Sequence, residues 1–117
     1  MSYRPYPVPI DEEARLQALL ALRILDTPSE REFDRLVHLA CRIFNVPIAA
    51  VSLIDRDRQF FKARAGVPVC ETSRDVSFCA HAIVSDEVLV IPNALLDTRF
   101  SAATMTPVSR STACSGL

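Results

Sequence analysis

The chain has 117 residues, which suits one domain and is too short for a (β/α)₈ barrel of about 250 residues. Its 14 acidic and 13 basic residues leave a net charge of −1, so charge gives no reason to expect nucleic-acid binding. Half of the residues are hydrophobic, which is typical of a chain that builds a core. The 2 glycines, Gly66 and Gly116, cannot form a GxGxxG or Walker phosphate loop.

The start of the chain and its cysteines indicate a protein of the cytoplasm. The first ten residues contain prolines and no apolar signal core, and no stretch reaches the ~18 apolar residues of a membrane span. The cysteines form no CxxC pair and match no zinc module, so we expect free thiols and no metal site. They are Cys41, Cys70, Cys79 and Cys114.

The first predicted elements are an extended arm and a leading helix. Residues 1–9 are punctuated by prolines, which favours an extended arm. Within the leading segment 10–25, a helix is predicted from Asp11 to Leu22, because acidic residues at its start suit the helix dipole. The helix can pack on its own domain or pair with a second copy. Its apolar residues at helical spacing include Leu16, Leu19 and Leu20.

A second helix is predicted to start around Thr27. Thr27 can cap the helix, Pro28 suits its first position, and Glu30 completes a capping box. We expect this helix to run to about Phe44, with Asn45 as its stop. One core-facing stripe is formed by Phe33, Leu36, Val37, Ala40 and Phe44.

A hairpin is predicted after the second helix, and it indicates an antiparallel sheet. Residues 47–54 are a short apolar run rich in β-branched residues, as in a buried strand, and the polar residues 55–58 are typical of a turn. Residues 59–65 then alternate. This alternation places Phe61 and Ala63 on one side and Phe60, Lys62 and Arg64 on the other.

The remainder is predicted as a loop, a short helix, a strand and a turn. These elements cover residues 66–75, 77–84, 88–91 and 95–100 in that order. From residue 102 the periodicity disappears, so we expect residues 102–117 to be an atypical, disordered tail. The order of elements predicts an α+β fold with helices packed on an antiparallel sheet.

Over residues 10–100 the chain resembles a GAF domain, of the bacterial type found ahead of histidine kinase, diguanylate cyclase or phosphodiesterase modules. The resemblance rests on several modest motifs in the family's order. They are Leu25-Asp26-Thr27-Pro28, Phe33-Asp34-Arg35-Leu36, Val46-Pro47-Ile48-Ala49, Val51-Ser52-Leu53-Ile54-Asp55, Asp57-Arg58-Gln59-Phe60-Phe61-Lys62-Ala63 and Ser77-Phe78-Cys79-Ala80-His81-Ala82-Ile83.

The resemblance implies a PAS-related antiparallel sheet with helices on one face and a small-molecule pocket on the other. It assigns residues 26–101 to a partial GAF domain whose C-terminal strands are missing, because residues 108–117 supply no strand pattern. This departure from the family suggests a frameshifted or truncated product. The pocket implied between the sheet and residues 67–100 would be lined by Phe61, Lys62, Phe78, Cys79 and His81.

The chemistry of the cysteines and histidines leaves alternatives open. On a helix, Cys79 and His81 diverge by about 200°, which makes joint metal ligation awkward. A lone histidine such as His38 is more often structural than a haem ligand. Some GAF-fold proteins are free-methionine-sulfoxide reductases, and Cys70 and Cys79 are therefore redox candidates, although Glu71 opposes the effect of Arg74 on Cys70.

The resulting hypothesis is a sensory or regulatory GAF module without catalysis of its own. It would bind a small ligand, or dimerise through the leading helix, to control an output domain in two-component or cyclic di-GMP signalling. No cofactor is identified by the sequence, and no nucleic-acid partner is expected. The alternatives are a cysteine-based redox sensor or reductase and a nonfunctional truncated fragment.

Overall fold

The computed structural model describes residues 6–97. It contains helices and a three-stranded antiparallel sheet, as predicted, and the strands follow one another along the chain, so the fold is α+β and GAF-like. In chain order the elements are α1 (Glu12–Leu22), α2 (Arg31–Phe44), β1 (Ala49–Ile54), β2 (Arg58–Ala65), β3 (Glu71–Ser73), a 3₁₀ turn (Arg74–Val76) and α3 (Cys79–Ala82).

Each of the two long helices ends at a C-cap residue whose backbone is in the left-handed conformation. Arg23 follows α1 and Asn45 follows α2, and both adopt positive φ, with their backbone N–H groups bonded to Leu20 and Cys41 carbonyls. Asn45 is therefore the predicted stop of the second helix. No helix within residues 6–97 is long and apolar enough to cross a membrane.

The start of α2 differs from its prediction. The helix begins at Arg31 with Glu30 at the N-cap, and no side chain caps it. Thr27 instead donates its hydroxyl proton to the Ile24 carbonyl, 2.5 Å away. The capping-box prediction failed because a buried lysine, Lys62 of β2, engages the polar groups of residues 27–30, and these residues stay non-helical.

The sheet has the order β1-β2-β3, and the predicted hairpin is confirmed. β2 contains a β-bulge: Ser52 pairs with Phe61 and Val51 pairs with Ala63, which leaves Lys62 without a partner on β1. Because cross-strand partners share a face, Phe61 and Ala63 lie on opposite faces. The simple alternation predicted for residues 59–65 is therefore wrong.

Helix α2 packs across β1 and β2, and α3 lies against β1. The buried residues come from each layer and include Leu16 and Leu19 of α1. The leading helix thus packs on its own domain. The apolar core consists of Leu16, Leu19, Val37, Ile54, Ala63, Val69 and Ala80.

The region after β2 differs from its prediction in three respects. The expected loop 66–75 contains β3 and the start of the 3₁₀ turn, and α3 is shorter than predicted. Residues 88–91 form no strand, and Val88 and Val90 are exposed. An isolated strand is not stable without a partner, and no strand within residues 6–97 pairs with this segment. The turn at 94–96 is present, whereas Phe100 and the predicted tail lie outside the described residues.

Candidate functional site

Arg74 is the most enclosed charged residue of the described chain, with none of its surface exposed. Its backbone N–H bonds to the Asp57 carbonyl, which holds the 3₁₀ turn against the β1–β2 turn. Nη1 donates to Glu12 Oε2 at 2.7 Å and to the carbonyls of Asp55 and Arg56 at 3.1 and 3.2 Å. The guanidinium carbon lies 4.7 Å from the centre of the Tyr6 ring. Arg74 therefore joins the arm, α1 and the hairpin at one point.

Glu12 is the acidic partner of this buried pair. Burial alone would raise the pKa of its carboxyl, but hydrogen bonds from Arg74 and Arg15 outweigh burial and lower the pKa from 4.5 to about 2. Arg15 bonds to Glu12 at 3.0 Å and also donates to the Ile54 carbonyl at 2.5 Å. Glu12 is therefore ionised at neutral pH, and α1 is fixed to the end of β1.

Arg58 forms a second connection, between the sheet and the segment that follows α1. Its guanidinium donates two hydrogen bonds to Asp26, at 2.6 and 2.7 Å, and one to Asp55 at 3.1 Å. The Asp26 carboxylate, above all, raises the pKa of Arg58, and the hydrogen bond from Arg58 lowers the pKa of Asp26. Bidentate pairing of this kind fixes orientation as well as distance.

A cleft of about 280 Å³ lies beside this second connection. It opens between the end of α1 and the β1–β2 turn, away from the residues proposed from sequence to bind a ligand. Its lining residues are Leu19, Leu20, Arg23, Leu25, Asp26, Asp55 and Arg58. Because the carboxylates of Asp26 and Asp55 already neutralise the Arg58 guanidinium, the cleft is not a strong anion site.

Lys62 makes the third connection, from the β2 bulge to residues 27–30. Its buried Nζ donates to Thr27 Oγ1 at 2.5 Å and to the Pro28 carbonyl at 2.7 Å, and lies 2.6 Å from Glu30 Oε2. It also lies 5.7 Å from the centre of the Phe33 ring. Its charged end is therefore directed at the linker between α1 and α2.

Of the other predicted ligand residues, three lie in or next to α3 and the fourth, Phe61, lies on β2. Ser52 donates its hydroxyl proton to Cys79 Sγ at 3.1 Å, and Phe61 shares the face of Ser52 because the two residues pair across β1 and β2. Phe78 and His81 flank Cys79 in sequence; Phe78 is exposed and His81 is half-buried. The structure thus places Phe61 and Cys79 on one face and directs Lys62 to the linker.

The geometry does not support binding of one metal ion by Cys79 and His81 together. Residues 79–82 are helical, so Cys79 and His81 diverge by about 200° as expected. Within residues 6–97, no cluster of three or more histidine, cysteine, aspartate or glutamate residues could hold a metal ion.

The cysteines differ from one another in state. Cys41 and Cys79 are half-buried free thiols, as predicted. Cys70 is disulfide-bonded, so the expectation of free thiols is wrong at this position. Neither observation tests the redox hypothesis, which stays a prediction for Cys70 and Cys79.

Sequence reasoning did not find the connection through Arg74. In the sequence, Glu12 is one of the acidic residues that suit the start of the leading helix, and Arg74 is notable only as a neighbour of Cys70. The two residues are 62 positions apart, and no local spacing relates them. The available signal is weak: a single arginine in a segment that the sequence predicts to be a loop.

Comparison with known proteins agrees with the fold. The model of the family described as "GAF domain" matches residues 28–115, which begin after α1. A cyclic di-GMP phosphodiesterase of Pseudomonas aeruginosa is 36% identical over 94 residues. This alignment covers 80% of the chain and 16% of the relative, so the chain spans a small part of that protein's length. The chain belongs to the GAF domain family of regulatory signalling domains.

Proposed function

We propose that this chain is the sensory module of a signalling protein and controls an attached output domain through its leading helix. The observation that carries the proposal is the buried Glu12–Arg74 pair, which couples α1 to the sheet. Two further connections, Arg58 to Asp26 and Lys62 to Glu30, couple the segment between α1 and α2 to the same hairpin. Movement of the hairpin would therefore move α1.

The sensing face in this proposal carries Ser52, Phe61 and Cys79, with Phe78 and His81 beside them. Ser52 and Phe61 lie on the same two strands as the connections to α1, so a ligand on this face contacts the structure that holds the helix. A ligand shifts the position of α1 only if it binds two positions with different affinity. The module itself would catalyse no reaction.

Cyclic di-GMP turnover is the output that we propose for the protein. The support is the similarity to a relative named as a cyclic di-GMP phosphodiesterase. The ligand need not be the output domain's substrate, because GAF folds host many ligands and fold alone does not identify one.

The ligand hypothesis is tested by thermal unfolding of the chain with cyclic di-GMP, cyclic GMP, cyclic AMP, GMP and haemin. A compound that binds the folded state raises the melting temperature in a concentration-dependent manner. We expect Ser52→Ala to weaken this stabilisation, and His38→Ala, at an exposed position of α2, to leave it unchanged. Stabilisation that is identical in all variants would place the site elsewhere, and no stabilisation by any compound would contradict sensing of these ligands.

Dimerisation through α1 is a second candidate function, favoured by its exposed leucines. Leu20 and Leu22 are 59% and 64% exposed, whereas Leu16 and Leu19 face the core. Light scattering coupled to size exclusion would show a dimer that Leu20→Glu dissociates. A chain that is monomeric at all concentrations would contradict this candidate and leave ligand sensing untouched.

A further inference from the structure

The outer face of α2 carries an apolar stripe at the spacing used by paired helices. Leu36, Leu39 and Ile43 are 57%, 53% and 64% exposed, and their separations of three and four residues place them in one line. Val37, on a different side of the same helix, is the residue buried in the core. The predicted core-facing stripe is therefore wrong for Leu36 and Phe44, which are both exposed. Glu32, one heptad before Leu39, ends the stripe near the helix start. Within residues 6–97, the stripe is thus additional to the face with which α2 packs on the sheet.

One edge of this stripe is basic. Arg35 and Arg42 directly precede Leu36 and Ile43, are seven residues apart, and are both exposed. Neither makes an ion pair with another residue of the segment 6–97. The opposite edge contains Phe33 and Ala40, which carry no charge and are half-buried. In coiled coils, charges that flank the apolar line select the partner and its orientation.

These charges disfavour a second copy of α2 as the occupant. In an antiparallel pair, Arg35 of one copy would face Arg42 of the other, and the two positive charges would repel each other. In a parallel pair, the arginines of one copy would lie beside the uncharged edge of the other copy, which contains Ala40. They would gain no ionic partner there. A helix with acidic flanks instead neutralises both arginines while it covers the leucines.

We propose that this face of α2 binds an amphipathic helix whose apolar stripe is flanked by acidic side chains. The inference is independent of the proposed ligand and of the leading helix, since it uses neither the Ser52 face nor α1. Removal of the three exposed apolar side chains from water supplies the attraction, and the arginines supply the selectivity.

The experiment uses two synthetic helices about three heptads long, with leucine at the a and d positions. One carries glutamate and the other lysine at the flanking e and g positions. Fluorescence anisotropy of labelled peptides titrated with the chain should give at least about tenfold tighter binding of the acidic peptide at low salt. This preference should shrink near 0.5 M salt, where charges are screened over only a few ångströms.

Three variants separate the contributions. Leu39→Asp should abolish binding of both peptides, and Arg35→Glu/Arg42→Glu should reverse the preference in favour of the lysine peptide. Leu95→Asp, at an exposed leucine of the turn at 94–96, is the matched control and should change neither. The double arginine variant alters only surface charge, so it remains informative if far-UV circular dichroism shows Leu39→Asp to be unfolded.

The proposal would be overturned by equal affinity for the two peptides, or by binding that Leu39→Asp leaves intact in a folded chain. Absence of binding to either peptide would also overturn it. So would self-association of the chain in sedimentation velocity that Leu39→Asp abolishes, because a second copy would then be the occupant of this face.

Discussion

Two adjacent glutamates at the start of α1 have different surroundings. Glu12 is nearly buried against the fully buried Arg74, while Glu13 pairs at the surface with Arg56, 2.8 Å away. A buried pair adds little to stability compared with an apolar pair, but loss of one partner leaves an uncompensated buried charge. An exposed pair contributes at most about 1 kcal/mol.

We therefore expect Glu12→Gln to lower the free energy of unfolding by about 3 kcal/mol at neutral pH. Glu13→Gln, the matched control, should lower it by less than about 1 kcal/mol. Urea unfolding followed by circular dichroism measures both. Similar losses in the two variants would show that burial of the Glu12–Arg74 pair has no energetic consequence.

The lowered pKa of Glu12 predicts that the free energy of unfolding depends on pH. Its pKa is about 2 in the folded chain and 4.5 as a free side chain, so its stabilisation is complete above about pH 4.5. It is lost as the pH falls toward 2, because the carboxylate must then be protonated. The difference in unfolding free energy between the parent chain and Glu12→Gln should accordingly narrow from pH 7 to pH 2.5. A difference that is constant over this range would contradict the lowered pKa.

Gly66 has a backbone conformation that a side chain would not tolerate. Its φ is +73°, and a Cβ atom there would collide with the carbonyl oxygen of Pro47. We expect Gly66→Ala to cost about 2 kcal/mol or more. Asn45 also has a positive φ, but Asn45→Gly relieves strain and should be neutral within about 1 kcal/mol. Thermal unfolding distinguishes them, and equal effects would argue against the collision at Gly66.

At the scale of elements, the leading helix presents leucines to two environments. Leu19 is 9% exposed and Leu20 is 59% exposed, although they are neighbours in sequence. Leu19→Glu should destabilise the chain by about 3 kcal/mol, because it places an unpaired charge in the core. Leu20→Glu should change stability by less than about 0.5 kcal/mol. Chemical denaturation provides the comparison; two equally stable variants would mean that α1 is not docked.

Periodicity predicted α1, the end of α2 and the hairpin, since each depends on residues close in sequence. It did not predict the start of α2 or the faces of β2. Both depend on Lys62: its place in the bulge reverses the alternation beyond Phe61, and its ammonium group engages Thr27 and Glu30. A bulge has no strong signal in a run such as residues 58–65, and the groups that it brings together are more than thirty positions apart.

In the candidate site, too, the sequence predicts what is local along the chain and not what the fold brings together. The motif around Phe78 and Cys79 identified residues near α3 because it is continuous in sequence. The Glu12–Arg74 pair requires the hairpin to bring the 3₁₀ turn beneath α1, so it could not be predicted before the topology was known. The family match begins at residue 28, and it too leaves α1 outside its range.

At the scale of the whole molecule, three basic residues connect the hairpin region to α1 and the segment after it, so we expect α1 and the hairpin to open as one cooperative unit. Arg74, Arg58 and Lys62 each connect the sheet or its adjoining turn to residues before α2. Hydrogen exchange reports such units, because amides that open together share one opening free energy. Coupling of this kind is required if α1 is to respond to the sheet.

We expect Glu12→Gln to raise amide exchange rates in α1 and in β1 and β2 together, while α2 keeps a higher protection because its Val37 face packs on the sheet independently of Glu12. Glu13→Gln should leave the exchange rates of all four elements near those of the parent chain. Faster exchange confined to α1 would mean that the helix detaches without affecting the hairpin. In that case the buried pair would hold the helix without transmitting a change in the sheet, and the proposed route from sensing face to output domain would fail.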